Sequence, residues 1–245
     1  MNLLALDTST RTASVALMIG TEVLCKTDPE RSLHAQWILP SIQGLLADGE
    51  IGISQLDGIV FGQGPGSFTG LRIACSVAKG LAYAHDLPVY PVSCLKAIAN
   101  ELQYQHPKFR SSPILAVIDA SMNQLYWSLI TIGSEIEAYE ERVSFAQDMA
   151  SMLSLPHGIA NNMPIVLAGV GYASYLAQLT GSIPDQITNR GLADLGIQDC
   201  FEIYPTATAM LRMIVQGSIV STTAEQAMPV YIRNQVAHEA IQKLN

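Results

Sequence analysis

The sequence predicts an α/β protein built from two tandem domains, each a five-stranded mixed sheet with flanking helices. Three observations carry this expectation. Two apolar runs end alike, in an aspartate followed two residues later by a serine: Leu3-Leu-Ala-Leu-Asp7-Thr-Ser9 and Ile114-Leu-Ala-Val-Ile-Asp119-Ala-Ser121. Each is followed by the same succession of extended and helical signals. The two aspartates stand 112 positions apart, so the pattern repeats at domain length rather than at the period of a solenoid.

In the first copy, the run to Asp7 is continuously apolar, as a strand buried on both faces must be. Ala13 to Ile19 is a second strand. Glu22 to Lys26 mixes charge with apolar residues and reads as an edge. Three strands in close succession make a meander. His34 to Ala47 then changes period: His34, Trp37, Ile38, Ser41, Ile42 and Leu45 recur three and four apart, with Pro40 expected to bend the helix or lie near its first turns. Asp57 to Gly64 is an apolar strand with a glycine-rich end. Ser67 is a suitable N-cap for a helix from Phe68 to His85, with Phe68, Leu71, Ala74, Cys75, Ala78, Leu81 and Ala82 on one face. Val89 to Ser93 and Leu95 to Gln103 complete the copy as strand and helix. Strands that alternate with helices join a sheet in parallel, through crossovers.

The second copy repeats this order with fewer glycines. Its strands are expected at Ile114–Asp119, 125–132, 135–143, 164–171 and 203–207, and its helices at 146–155, 172–179 and 207–215. The domain boundaries read as 1–108, 109–220 and a tail at 221–245.

Composition limits the function classes. A net charge of −8 without a basic run makes a poor stand-alone nucleic-acid binder, because backbone affinity comes from Lys and Arg displacing counterions. Only 14% of residues are charged, against roughly 25% in an average soluble chain. That implies surface hidden in a stable interface. Cys25, Cys75, Cys94 and Cys200 form no C-x-x-C, and MNLLALDTS lacks the basic start of a secretory signal. No apolar run approaches the ~18 residues of a membrane span. A reduced, cytoplasmic protein is expected.

The stretch Phe61-Gly-Gln-Gly-Pro-Gly-Ser-Phe-Thr-Gly70 looks like a phosphate cradle but fits none of the familiar ones. No glycine has the Walker A spacing to a lysine, G-x-G-x-x-G is broken by Ser67 and Thr69, and G-x-S-x-G fails at Pro65 and Thr69. A tight turn into a capped helix remains, able either to bind an anion or to pack on a neighbour. His34, His85, His106, His157 and His238 are scattered, with no H-x-x-x-H pair, so no metal is expected.

LLALDTST, GQGPGSFTGLRIACSVAKGLA and MPVYIRNQVA resemble the TsaB (YeaZ) family, glycoprotease-like proteins of the actin, sugar-kinase and Hsp70-ATPase superfamily with its doubled ribonuclease-H-like domain. The resemblance runs nearly end to end. The family's arginine in G-R-G-P-G-S-F-T-G is Gln63 here, and an arginine and a glutamate of its second-domain motif are Ser121 and Gln124. The resemblance implies a non-catalytic subunit, with no catalytic residue, cofactor or metal of its own. It would serve in making threonylcarbamoyladenosine next to the tRNA anticodon. Its partners would be the catalytic paralogue TsaD and the ATPase TsaE. A homodimer would form without TsaD, and tRNA would be met only through the complex. Asp7, Thr8, Ser9 and Asp119 would be a vestigial nucleotide cleft, since the superfamily's kinases hold Mg²⁺ and phosphate at these turns. Partner contacts would fall on His34, Trp37, Ile38, Ser41, Phe68, Leu71, Arg72, Cys75, Ala78 and Ala82, so that Ala78→Glu would abolish dimers and spare the fold. The rival reading is an ATP-dependent small-molecule phosphotransferase using Asp7, Asp119 and the loop Gly64–Gly70.

Overall fold

The first sheet is a meander extended by two crossovers. β1 (Asn2–Asp7) pairs antiparallel with β2 (Ala13–Ile19), which pairs antiparallel with β3 (Glu22–Asp28). β4 (Gly58–Gly64) and β5 (Val89–Ser93) add in parallel on the far side of β1, giving the order β3-β2-β1-β4-β5. The computed structural model describes residues 1–28, 33–132, 136–138, 140–153, 164–180, 196–217 and 219–232.

The second sheet repeats this order. β6 (Ile114–Asp119) pairs antiparallel with β7 (Gln124–Ile132), and β10 (Ile165–Val170) and β11 (Ile197–Glu202) add in parallel beyond β6. Beside β7, the edge position is shared by two short strands. β8 (Ile136–Ala138) pairs with its end and β9 (Arg142–Phe145) with its start. The sheet therefore has five strand positions, one of them broken, as the single extended segment expected at 135–143 splits in two.

The last strand lies earlier than expected. The sequence places it at 203–207, by analogy with the Tyr-Pro of β5, whereas β11 ends at Glu202 and Thr206 caps the following helix through Ala209 N. The reason is that β11 is an edge strand whose side chains are mostly half-exposed. Gln198 and Asp199 are tolerated there and hide the apolar signal.

Helices fill three layers. α1 (His34–Asp48) and α2 (Phe68–His85) cover the outer face of the first sheet, where Leu4, Leu6, Val15, Leu17, Ile59 and Phe61 meet Ile38, Ile42, Leu45, Ala74, Ala78 and Ala82. Each fully buried leucine here contributes roughly 1.5–3 kcal/mol. Pro40 lies inside α1 on its exposed side. On the outer face of the second sheet lie α4 (Ala146–Leu153), a 3-10 turn (Tyr172–Tyr175) and α5 (Leu176–Thr180). The helix expected at 172–179 thus begins as a 3-10 turn. The expected helix residues 154–155 lie outside the described residues.

Between the sheets lie α3 (Cys94–Gln105) and α6 (Ala207–Val215), and they are exchanged. α3, from the first copy, packs on β6 and β10, while α6, from the second, packs on β1, β2 and β4. One continuous core therefore runs from Leu3 and Ala5 through both helices to Ile114 and Val166. Polar links reinforce it. Arg212 Nη2 donates to Glu101 Oε2 at 2.5 Å, Thr206 Oγ1 donates to the same oxygen at 2.8 Å, and Ala207 N donates to Ser14 Oγ at 2.9 Å. Burial favours the protonated Glu101, but the bonds from Gln105, Thr206 and Arg212, with the charge of Arg212, outweigh it and hold the carboxyl below its ordinary range. No helix among the described residues is long and apolar enough to cross a membrane.

The tail runs back over the first domain. Val89 and Thr222 form an antiparallel bridge at the edge of β5, and Ala224 and Ala227 join the outer core.

Candidate functional site

The turn after β1 is a hub on which both outer helices are set. Asp7 Oδ1 accepts from Ser9 N at 3.1 Å and Ser9 Oγ at 2.9 Å, closing an Asx turn. Thr8 Oγ1 donates to Gly70 O at 2.6 Å, in the first turn of α2. Ser9 O accepts from Ser67 N, the N-cap of α2, at 2.7 Å. Thr10 O lies 3.0 Å from Nε2 of His34, the first residue of α1. Facing a carbonyl, Nε2 acts as the donor, and the buried Nδ1 has no hydrogen-bond partner among the described residues.

This packing explains the glycines of the loop. A Cβ on Gly62 would stand 1.9 Å from Asp7 Oδ2, on Gly66 2.5 Å from Ser9 O, and on Gly70 1.8 Å from Thr8 O. Gly66 and Gly70 let two backbone segments of the same chain approach closely, and Gly62 makes room for the Asp7 carboxylate. The Gly64–Pro65 peptide is cis.

Asp7 is sealed, at 0% exposure. Met210 of α6 touches Gly62 from the inter-sheet side, and Cys94 Sγ, at the start of α3, donates to Asp7 Oδ2 at 3.6 Å. Burial pushes the carboxyl from 3.8 up to about 6, with the bonds from the Ser9 hydroxyl, the Ser9 amide and Cys94 pulling the other way. Burial and the neighbouring Asp7 push the Cys94 thiol well up, so the sulfur keeps the proton it donates. A magnesium ion bridging to phosphate needs an open carboxylate and room for oxygen ligands. Here both carboxylate oxygens are engaged within the chain, and the loop lies against Thr8 and Ser9. These residues do not fit a metal–phosphate site.

The matching turn of the second domain differs. Asp119 is exposed. Its Oδ1 accepts from Ser121 N at 2.7 Å and Tyr175 Oη at 2.8 Å, and a Cβ on Gly171 would stand 2.5 Å from its Cβ. Burial, then the bond and charge of Asp119, push the Tyr175 hydroxyl up to about 12, so it remains a donor. Asp7 and Asp119 therefore occupy equivalent turns but unlike environments. Among the described residues no group of three His, Cys, Asp or Glu is placed to hold a metal.

The helix faces require a correction. Ile38, Ser41, Leu71, Cys75, Ala78 and Ala82, expected at a partner interface, are buried within this chain. The apolar three-four stripe on each helix is what packs on the sheet, and a buried side chain is not available to a second protein. His34 and Trp37 are half-buried, while Phe68 and Arg72 are exposed. The outward strip instead carries Gln36, Leu39 and Gln43 on α1, and Thr69, Ser76, Gly80 and Tyr83 on α2.

The tail borders that strip, a contact not visible in the sequence. Lys79 Nζ donates to Glu225 O at 3.0 Å and Ala227 O at 3.1 Å. Val230 N donates to Gln63 O at 2.7 Å, a backbone contact indifferent to the side chain at position 63. Tyr231 stacks beside Phe68. Residues 228–232 are described, whereas Arg233 and Asn234 of the same motif lie outside the described residues, as do His157 and His238.

Two alanine substitutions on α2 should have opposite signs. Alanine exceeds glycine in helix propensity by about 1 kcal/mol. At Gly80, where a Cβ meets nothing within 4 Å, that gain should appear as a raised thermal midpoint. At Gly70 the new Cβ meets the Thr8 carbonyl, and overpacking of about 1–3 kcal/mol or more should win. A raised midpoint for Gly70→Ala in a thermal melt would contradict the packing described.

Residues 29–241 match the family described as TsaD: tRNA N6-adenosine threonylcarbamoyltransferase. The tRNA threonylcarbamoyladenosine biosynthesis protein TsaB of Haemophilus influenzae is 31% identical over 239 residues, 96% of this chain and 95% of the relative. TsaB of Escherichia coli is 31% identical over 246 residues, 97% and 96% of the two chains. The solved structure of YeaZ from Pseudomonas aeruginosa matches with a TM-score of 0.74 and 31% identity, over 94% of this chain and 99% of that one.

Proposed function

This chain belongs to the TsaB (YeaZ) family of tRNA threonylcarbamoyladenosine biosynthesis proteins, and from that premise we propose that it is an accessory subunit without chemistry of its own, docking on the catalytic paralogue TsaD. The observation that carries this reading is the hub. The turn that would face a metal–phosphate in a kinase has its donors and acceptors spent on the first residues of α1 and α2. Its work is to fix the angle of two outward helices. The phosphotransferase reading needs that same turn open, and Asp7 is sealed.

The outward strip has the character of an interface. None of the chain's 21 acidic residues falls within positions 31–47 or 58–85, although the whole chain is acidic. Charge depletion with an aromatic residue is the composition of an interface core. Tyr83, 73% exposed, is the natural anchor. In this reading the docked pair supports assembly with the ATPase TsaE, a second copy occupies the strip when TsaD is absent, tRNA is met through the complex, and the work is done in the cytoplasm.

Tyr83→Glu tests the docking. The side chain points to solvent, so thermal unfolding should be unchanged, while affinity for TsaD of the same organism, measured by calorimetry, should fall at least tenfold. An unchanged affinity would remove the strip from the interface.

A further inference from the structure

We propose that Phe68, Arg72 and Tyr231 form a preassembled carboxylate anchor, which takes an acidic side chain flanked by apolar residues from the docking protein. The inference rests on the reading that α2 docks on a protein, and it names the chemistry by which one end of the surface chooses its partner.

The three side chains hold one another. The Arg72 guanidinium carbon lies 3.9 Å from the centroid of the Phe68 ring, and Nε donates to Tyr231 Oη at 3.2 Å. The Phe68 and Tyr231 rings stand 5.3 Å apart. Tyr231 comes from the tail, 159 positions away, and is pinned by the Val230 amide on Gln63 and, further back, by Lys79 on the carbonyls of Glu225 and Ala227. An exposed arginine ordinarily loses side-chain entropy when it binds. Here that ordering is already done, which is the advantage of preorganisation.

The arrangement leaves a defined vacancy of charge. Arg142 and Arg212 each pair with a glutamate, whereas among the described residues Arg72 has no ion pair. Nε is spent on Tyr231, so the two terminal nitrogens remain as a fork suited to a carboxylate. Beside the fork lies Phe68, 55% exposed, and the tail segment that delivers Tyr231 also carries the exposed Val230 (40%) and Met228 (62%). A carboxylate arriving with an aliphatic neighbour would bury these and shut water away from the pair. Nucleic acid fits less well. Binding its backbone takes several cations, and the only other lysine or arginine on α2, Lys79, is held by the tail carbonyls.

The test is titration of TsaD from the same organism into the full chain, at low and high salt, comparing the unaltered protein with exposed-site variants. Arg72→Gln should weaken binding at least tenfold and flatten its salt dependence. Arg72→Lys should restore only part, because an ammonium lacks the fork. Tyr231→Phe, which keeps the ring and removes the hydroxyl that holds Nε, should weaken binding about threefold, a partial loss of preorganisation. If Tyr83→Glu abolishes binding but Arg72→Gln leaves affinity and salt dependence unchanged, docking stands and the anchor is wrong. If the unaltered chain does not bind TsaD, docking itself fails and takes the anchor with it. If Arg72→Gln alters only self-association, or only tRNA retention by the assembled complex, the occupant is a second copy or RNA and the proposal is overturned.

Discussion

Ala78→Glu is expected to unfold this protein rather than release it from a partner. Ala78 has 0% exposure and sits among Leu4, Leu6, Ile59 and Phe61 between α2 and its own sheet. Placing a carboxylate there costs several kcal/mol even after relaxation. The added side-chain atoms overpack the site by about another 1–3 kcal/mol. Against a total stability of about 5–15 kcal/mol, the sum removes most or all of the native population. Far-ultraviolet circular dichroism and solubility on expression check it. A soluble chain with a native spectrum and lost dimers would show that α2 turns this face outward. Tyr83→Glu, five positions on, is the paired control, since it places the same charge where water already is.

The difference between those two variants locates what the sequence conceals. The limits of α2 are legible, because Ser67 caps it and the period of apolar residues runs unbroken to His85. Its function is less so. A three-four stripe of Leu71, Ala74, Cys75, Ala78 and Ala82 identifies a buried face, and small residues identify a close approach, but neither says what is approached. Here it is the chain's own sheet. The outward face is interrupted and half polar, so periodicity passes over Tyr83. A bundle of glycines likewise signals backbone proximity without naming the neighbour. Only the strand order β1-β4-β5 brings Asp7, Gly62 and Cys94 to one end of one sheet.

The duplicated plan is legible from its repeated Asp-x-Ser turns, but the exchange of α3 and α6 is not. Each helix follows its own sheet in the chain and packs on the other, so adjacency in sequence misleads. That exchange also brings Met210 of α6 against Gly62 beside Asp7, whereas Cys94 arrives through the order of its own sheet. The tail contacts were equally out of reach, because Arg72 and Tyr231 are brought together by chain path rather than pattern.

Asp7→Asn is expected to stabilise the protein above about pH 6 and to leave tRNA modification by a reconstituted complex intact. The Asp7 carboxyl is pushed from 3.8 up to about 6, chiefly by burial. Because the folded value exceeds the unfolded one, the native state holds a proton that the unfolded chain has lost between these limits. The contribution of Asp7 to stability is therefore greatest below about pH 4, declines as pH rises through the window, and is flat above it. A shift of this size corresponds to about 3 kcal/mol, as an upper figure. Asparagine removes that cost and still offers Oδ1 to the Ser9 amide and hydroxyl. Its amide faces the Cys94 sulfur, a weak acceptor, which returns about 1 kcal/mol. The variant should thus melt higher than the unaltered chain at pH 8, and the gap should close by pH 4. A variant less stable at pH 8 would mean the ionised carboxylate is favoured by its surroundings, against the burial described. A variant that is more stable but inactive would give the charge on Asp7 a role in the reaction. The accessory reading excludes such a role, because a subunit that works by aiming two helices needs the Asx turn at Asp7, not its charge.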